Sequence, residues 1–145
     1  MTTNNWATAK YEGLGKNGKG YVSTQSGAFN DQPYGFNTRF EEEVGTNPEE
    51  QIAAAHASCF TMALSFGLAE KNFTKGTLKS KAVITLVEDG DGFTITKSEI
   101  FLDAKVTGMN AQAFEKTAMD AKLNCPISKL LNCDVTLNIT SFSGE

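Results

Sequence analysis

Asn47-Pro48-Glu49-Glu50-Gln51-Ile52-Ala53-Ala54-Ala55-His56-Ala57-Ser58-Cys59-Phe60, followed by Met62, Ala63, Leu64, Phe66 and Leu68, carries the strongest helix signal in the chain. Asn47 can cap a helix, Pro48 suits its first position, and Glu50 falls three residues after the cap. Glu49 and Glu50 favour the positive end of the helix dipole. The pattern predicts a helix from Pro48 to about Lys71. Its apolar residues run nearly all the way round, so it is expected to be buried on every side. At 1.5 Å per residue it is ~35 Å long, against a radius of gyration of ~15 Å for a chain of this size. A lone unit of 145 residues has trouble wrapping such a rod; a partner subunit solves the problem.

Upstream, residues 4–12 and 19–25 read as strands around a turn at Gly13, Gly15, Lys16, Asn17 and Gly18. Gly27 to Gly35 reads as a loop containing Pro33. Phe36–Glu43 reads as a strand, with Phe36, Thr38 and Phe40 on one face and Arg39 on the other. Downstream, Leu78–Glu88 and Phe93–Val106 read as strands joined by the hairpin turn Asp89-Gly90-Asp91-Gly92. Phe93 and Ile95 have the opposite parity to Ile100, Leu102, Ala104 and Val106, so a bulge is expected near Lys97–Glu99. Asn110 can cap a helix running to about Asn124, and a short helix starts at Pro126. The last strand, Cys133–Phe142, places Cys133, Val135, Leu137 and Ile139 on its inner face. Runs of strands separated by helices indicate an α+β fold, with residues 1–145 as one domain.

Composition narrows the function. The net charge is −4, from 13 basic and 17 acidic residues, with no basic tract, so no nucleic-acid partner is expected. No apolar run is read as reaching the roughly 18–20 residues that span a bilayer, and Met1-Thr2-Thr3-Asn4-Asn5 lacks the features of a signal peptide. The expected location is therefore cytoplasmic. One histidine and three cysteines, without a C-x-x-C, match no zinc pattern.

The rare residues define the candidate chemistry. Cys59, in the middle of the long helix, reads either as a small buried apolar residue or as a nucleophilic thiolate. Cys125 directly precedes Pro126 at a helix start, where backbone N–H groups are expected to point at its sulfur and lower its pKa; a plain loop residue is the alternative. Cys133 reads as structural. His56 shares a helix face with Cys59 and is either a partner base or a core residue. Arg39, next to Glu41-Glu42-Glu43, reads as a surface salt bridge, yet it is the chain's only guanidinium.

The stretch from Asn47 to Phe60 closely resembles the nucleophile helix of the OsmC/Ohr family. Cys125-Pro126-Ile127-Ser128-Lys129-Leu130-Leu131 is similar to that family's second cysteine motif. Gly20-Tyr21-Val22-Ser23-Thr24 and Gln32-Pro33-Tyr34-Gly35-Phe36-Asn37-Thr38-Arg39-Phe40 resemble the OsmC branch, as does the position of the sole arginine. The resemblance implies a thiol peroxidase reducing organic hydroperoxides, with hydrogen peroxide as a secondary substrate, in oxidative or osmotic stress defence. Cys59 would be the peroxidatic nucleophile and Cys125 the resolving thiol, the two joining in a disulfide. Arg39 would activate the thiolate and Glu49 would hold Arg39. No cofactor or metal is implied, and an external dithiol or lipoyl group would be the reductant. The implied fold is an intertwined homodimer, with long central helices wrapped by antiparallel sheets from both chains. A redox sensor and a non-catalytic dimer binding a small apolar ligand are the competing readings. Glu49 and Cys59 are ten residues apart on one helix, ~15 Å along its axis, so Glu49 is expected to act through Arg39 or from the partner chain.

Overall fold

Residues 7–34 build a small antiparallel sheet around one glycine. β1 (Ala7–Glu12), β2 (Lys19–Thr24) and β3 (Gln32–Tyr34) pair in the order β1-β2-β3. The computed structural model describes residues 1–145 and contains two compact units, residues 1–51 and 52–145. In the first, Gly20 stands opposite both Tyr11 and Tyr34. A Cβ there would lie 2.7 Å from the Tyr34 ring and 2.9 Å from that of Tyr11, so only glycine lets the rings meet edge to face at 5.9 Å.

The segment expected as a strand at Phe36–Glu43 is instead a short helix, α1 (Phe36–Phe40). Thr38 Oγ1 accepts the Gly35 N–H at 2.8 Å and donates to the Gly35 carbonyl at 3.0 Å, closing the first turn. Phe36 and Phe40 are four residues apart, a spacing that shares a face in a helix as well as in a strand. Their rings lie 5.0 Å apart. Part of the loop expected at Gly27–Gly35 is β3, where Pro33 sits on an edge strand and needs no N–H for the ladder.

The long helix, α2, spans Pro48–Glu70. Asn47 Oδ1 accepts the Glu50 N–H at 2.8 Å, as its capping position predicts. The Glu50 carboxylate accepts the Thr46 hydroxyl at 2.8 Å. The helix is not buried on every side within one chain. His56, Phe60, Leu64 and Leu68 form a buried stripe, whereas Met62 is 55% exposed and Phe66 64%. Contrary to the sequence reading, α2 is long and apolar enough to cross a membrane, by length and composition. It is a core helix: its stripe packs into the hydrophobic cluster of the second unit, with Ile100, Leu102, Phe114 and Ala118.

β4 (Gly76–Asp89) and β5 (Gly92–Val106) form the expected hairpin, with Gly90 at φ 62° in its turn. The parity change is absorbed one residue earlier than expected. Thr85 pairs with Lys97 and Leu86 with Ile95, leaving Thr96 as the extra residue. α3 (Ala111–Asn124) is capped by Asn110, whose side chain accepts the Ala113 N–H at 2.8 Å. α4 (Pro126–Leu130) follows, then β6 (Asp134–Ser143).

β6 runs parallel to β5, so the sheet is mixed rather than antiparallel as expected. Parallel neighbours need a long crossover, and α3 with α4 supplies it. β6 also carries a bulge. Leu102 pairs with Ile139 and Asp103 with Ser141, and Thr140 between them donates to the Leu102 carbonyl at 3.0 Å. The bulge reverses the strand's parity, so Phe142 joins the core and stacks on Phe114 at 4.3 Å.

Candidate active site

In the second unit, α2 and the start of α4 bring two thiols together. Cys59 is half-buried beside the fully buried Cys125, and all three cysteines are free thiols. Burial is the largest influence on Cys59 and pushes its pKa above 9.0; a hydrogen bond with the Cys125 thiol pushes it further up. The Ile127 backbone N–H, hydrogen-bonded to the Cys59 sulfur, pulls it down. No cation contributes to the shift.

This overturns one expectation about α4. Its first-turn N–H does meet a sulfur, but that sulfur belongs to Cys59. Cys125 occupies the N-cap position and makes no capping hydrogen bond. Its C-terminal neighbour Pro126 brings no N–H, and Ile127 is next in line.

His56, three residues before Cys59, is fully buried. Its Nδ1 lies 2.6 Å from Ser98 Oγ and its Nε2 2.7 Å from Ser128 Oγ. The ring therefore ties α2 to β5 and α4. Burial lowers its pKa below 6.5, which keeps it neutral. The unfolded chain takes up this proton near pH 6.5 and the folded chain only at lower pH, so the stability His56 provides is complete above about pH 6.5. It is lost as the pH falls through the folded pKa. Urea midpoints of the native protein should therefore drop between pH 7.5 and 5.0 more steeply than those of His56→Gln; equal slopes would refute this. Ser98 and Ser128 escaped sequence reasoning as ring partners, because nothing in their spacing marks a residue that meets a histidine 42 or 72 positions away.

In the first unit, Arg39 and Glu49 form a bidentate pair. Arg39 Nε donates to Glu49 Oε2 at 3.0 Å and Nη2 to Oε1 at 2.7 Å. Glu49 reaches it from the second residue of α2. The acidic run beside Arg39 is not its partner: Glu43 instead accepts from Asn37 at 3.2 Å. Arg39 also lies 5.7 Å over the Phe40 ring. With Tyr11, Tyr34, Phe36 and Pro48 it lines a cleft of about 470 Å³.

Cys133 directly precedes β6 and is half-buried. Burial and the Asp134 carboxylate raise its pKa, while the Ser98 N–H lowers it. No group of three or more His, Cys, Asp or Glu side chains is placed to hold a metal ion.

The family model described as OsmC-like protein matches residues 40–140. Peroxiredoxin OsmC of Escherichia coli strain K12 is 48% identical over 138 residues, covering 95% of this chain and 96% of that protein. Organic hydroperoxide resistance protein OhrA of Bacillus subtilis strain 168 is 34% identical over 101 residues, covering 67% and 69%. Among solved structures, the organic hydroperoxide resistance protein OhrB of Bacillus subtilis superposes with a TM-score of 0.71 at 26% identity, covering 95% of this chain and 98% of that one. An OsmC-like protein of Vibrio cholerae gives a TM-score of 0.75 at 16% identity, covering 95% and 99%.

Proposed function

We propose, from the premise that this chain belongs to the OsmC-like protein family and is a thiol-dependent hydroperoxide reductase of it, that Cys59 is its peroxidatic nucleophile and Cys125 its resolving thiol. The observation that carries this is the pairing of the two thiols, with the Ile127 N–H on the sulfur of Cys59.

The Cys59 thiolate attacks one oxygen of ROOH. The O–O bond breaks, the alkoxide leaves and takes up a proton as ROH, and Cys59 becomes a sulfenic acid. The Cys125 thiol then attacks that sulfur, water departs, and a disulfide forms. An external dithiol, lipoyl or small-molecule, returns two electrons by thiol–disulfide exchange. No prosthetic group is needed for any of these steps.

Burial disfavours the thiolate, and a guanidinium beside it would offset that penalty. The family resemblance assigns that role to Arg39, the chain's only guanidinium: it would stabilise the thiolate and the charge developing on the leaving oxygen. Glu49 holds its guanidinium through two hydrogen bonds. The aromatic cleft beside Arg39 suits the apolar body of an organic hydroperoxide. Residues 1–145 act as one functional domain. The protein works as a cytoplasmic homodimer, in which a second copy covers the exposed Met62 and Phe66 of α2; an uncovered apolar face of this kind marks an association surface.

Intact mass and disulfide mapping after one equivalent of tert-butyl hydroperoxide tests the assignment. The expected result is loss of two hydrogens, a Cys59–Cys125 peptide, and a Cys133 that remains alkylatable. A bridge through Cys133, or no loss of thiols, overturns it.

A further inference from the structure

His56, Ser98 and Ser128 have no part in the redox steps, yet they form one buried network beside them. A neutral imidazole has one donor and one acceptor nitrogen, and the two hydroxyls can turn to complement both. α4 has only five residues, none of them fully buried, and of these only Ile127 packs against the core. Ser128 follows Ile127, whose N–H meets the Cys59 sulfur, and lies three residues after Cys125. His56 lies three residues before Cys59 on α2. The His56–Ser128 bond of 2.7 Å therefore ties α2 to the same turn of α4 that presents the N–H and the second thiol.

We propose that His56 and Ser128 are positioning residues: their hydrogen bond clamps the start of α4 against α2, keeping the Ile127 N–H on Cys59 and Cys125 within reach of its sulfenic acid. The clamp deepens the peroxidase reading and rests on it for the resolving step. In that step the Cys125 thiol displaces water from the Cys59 sulfenic acid, forming the S–S bond.

Ser128→Ala leaves the ring in place and removes only the tie to α4. Two readouts are taken: the pH dependence of Cys59 alkylation, followed by peptide mass, and the rate of disulfide closure after one equivalent of peroxide. The variant should raise the Cys59 pKa and slow closure ~10–100-fold, the penalty of a misplaced reacting group. Ser128→Thr, which keeps the hydroxyl, should recover both. Thr117→Val is the control for general loosening, since Thr117 is buried and its hydroxyl, 2.8 Å from Lys71 Nζ, also donates to the Ala113 carbonyl. It should lower Tm and leave both readouts at native values. Native closure and native alkylation in Ser128→Ala would overturn the clamp, as would equal changes in Thr117→Val. If the native protein loses no thiols to peroxide, the peroxidase reading fails, while the alkylation arm still decides the clamp.

Discussion

Cys59→Ser is expected to abolish hydroperoxide reduction, lowering dithiothreitol-coupled turnover of cumene hydroperoxide by at least ~10³-fold, because a serine hydroxyl is not ionised near neutral pH. Cys125→Ser should behave differently. Its Cys59 still reacts once, stops as a sulfenic acid and is trapped by dimedone, so the first step survives while steady turnover collapses. Cys133→Ser should turn over normally, because Cys133 has no role in the two-thiol cycle; the groups that act on it are Asp134 and the Ser98 N–H. A Cys125→Ser protein that fails even the first reaction would reverse the two roles.

Arg39→Ala carries the second large effect. Removing an electrostatic stabiliser of developing charge costs about 10²–10³ in rate, so kcat/KM should fall by that factor and the Cys59 pKa should rise. Arg39→Lys should recover only part of the loss. A lysine cannot reproduce the two-pronged contact that Arg39 makes with Glu49 at 2.7 and 3.0 Å. Glu49→Gln should give a smaller decrease, since it loosens the guanidinium without removing it. If Arg39→Ala shifts Tm and leaves both kcat/KM and the thiol pKa unchanged, Arg39 is a surface salt bridge only.

The helices were legible wherever a cap was written in the chain. Asn47 before Pro48 and Asn110 before Ala111 each place a side-chain oxygen on the third N–H of the helix, a local device that needs no tertiary context. The hairpin at Gly90 was equally local. What stayed hidden depends on partners distant in sequence. α1 was hidden because Phe36 and Phe40 satisfy helical and strand periods alike. The direction of β6 was hidden because a strand's alternation is the same whichever way its neighbour runs. The bulge at Thr140 was hidden because one extra residue leaves no mark on composition. At the candidate site, the residue types could be named from their motifs. Which sulfur the Ile127 N–H would meet could not, since Cys125 is the nearer in sequence while the hydrogen bond goes to Cys59.

The parallel pairing of β5 with β6 bears on how the protein is born. β5 cannot gain its second neighbour until residues from Asp134 onward leave the ribosome, and contacts so far apart in sequence close slowly. Cys59 thus emerges well ahead of the strand that anchors the crossover bearing its mate. During that interval the nascent chain exposes an unguarded thiol, open to overoxidation or to bridging with a neighbouring polypeptide.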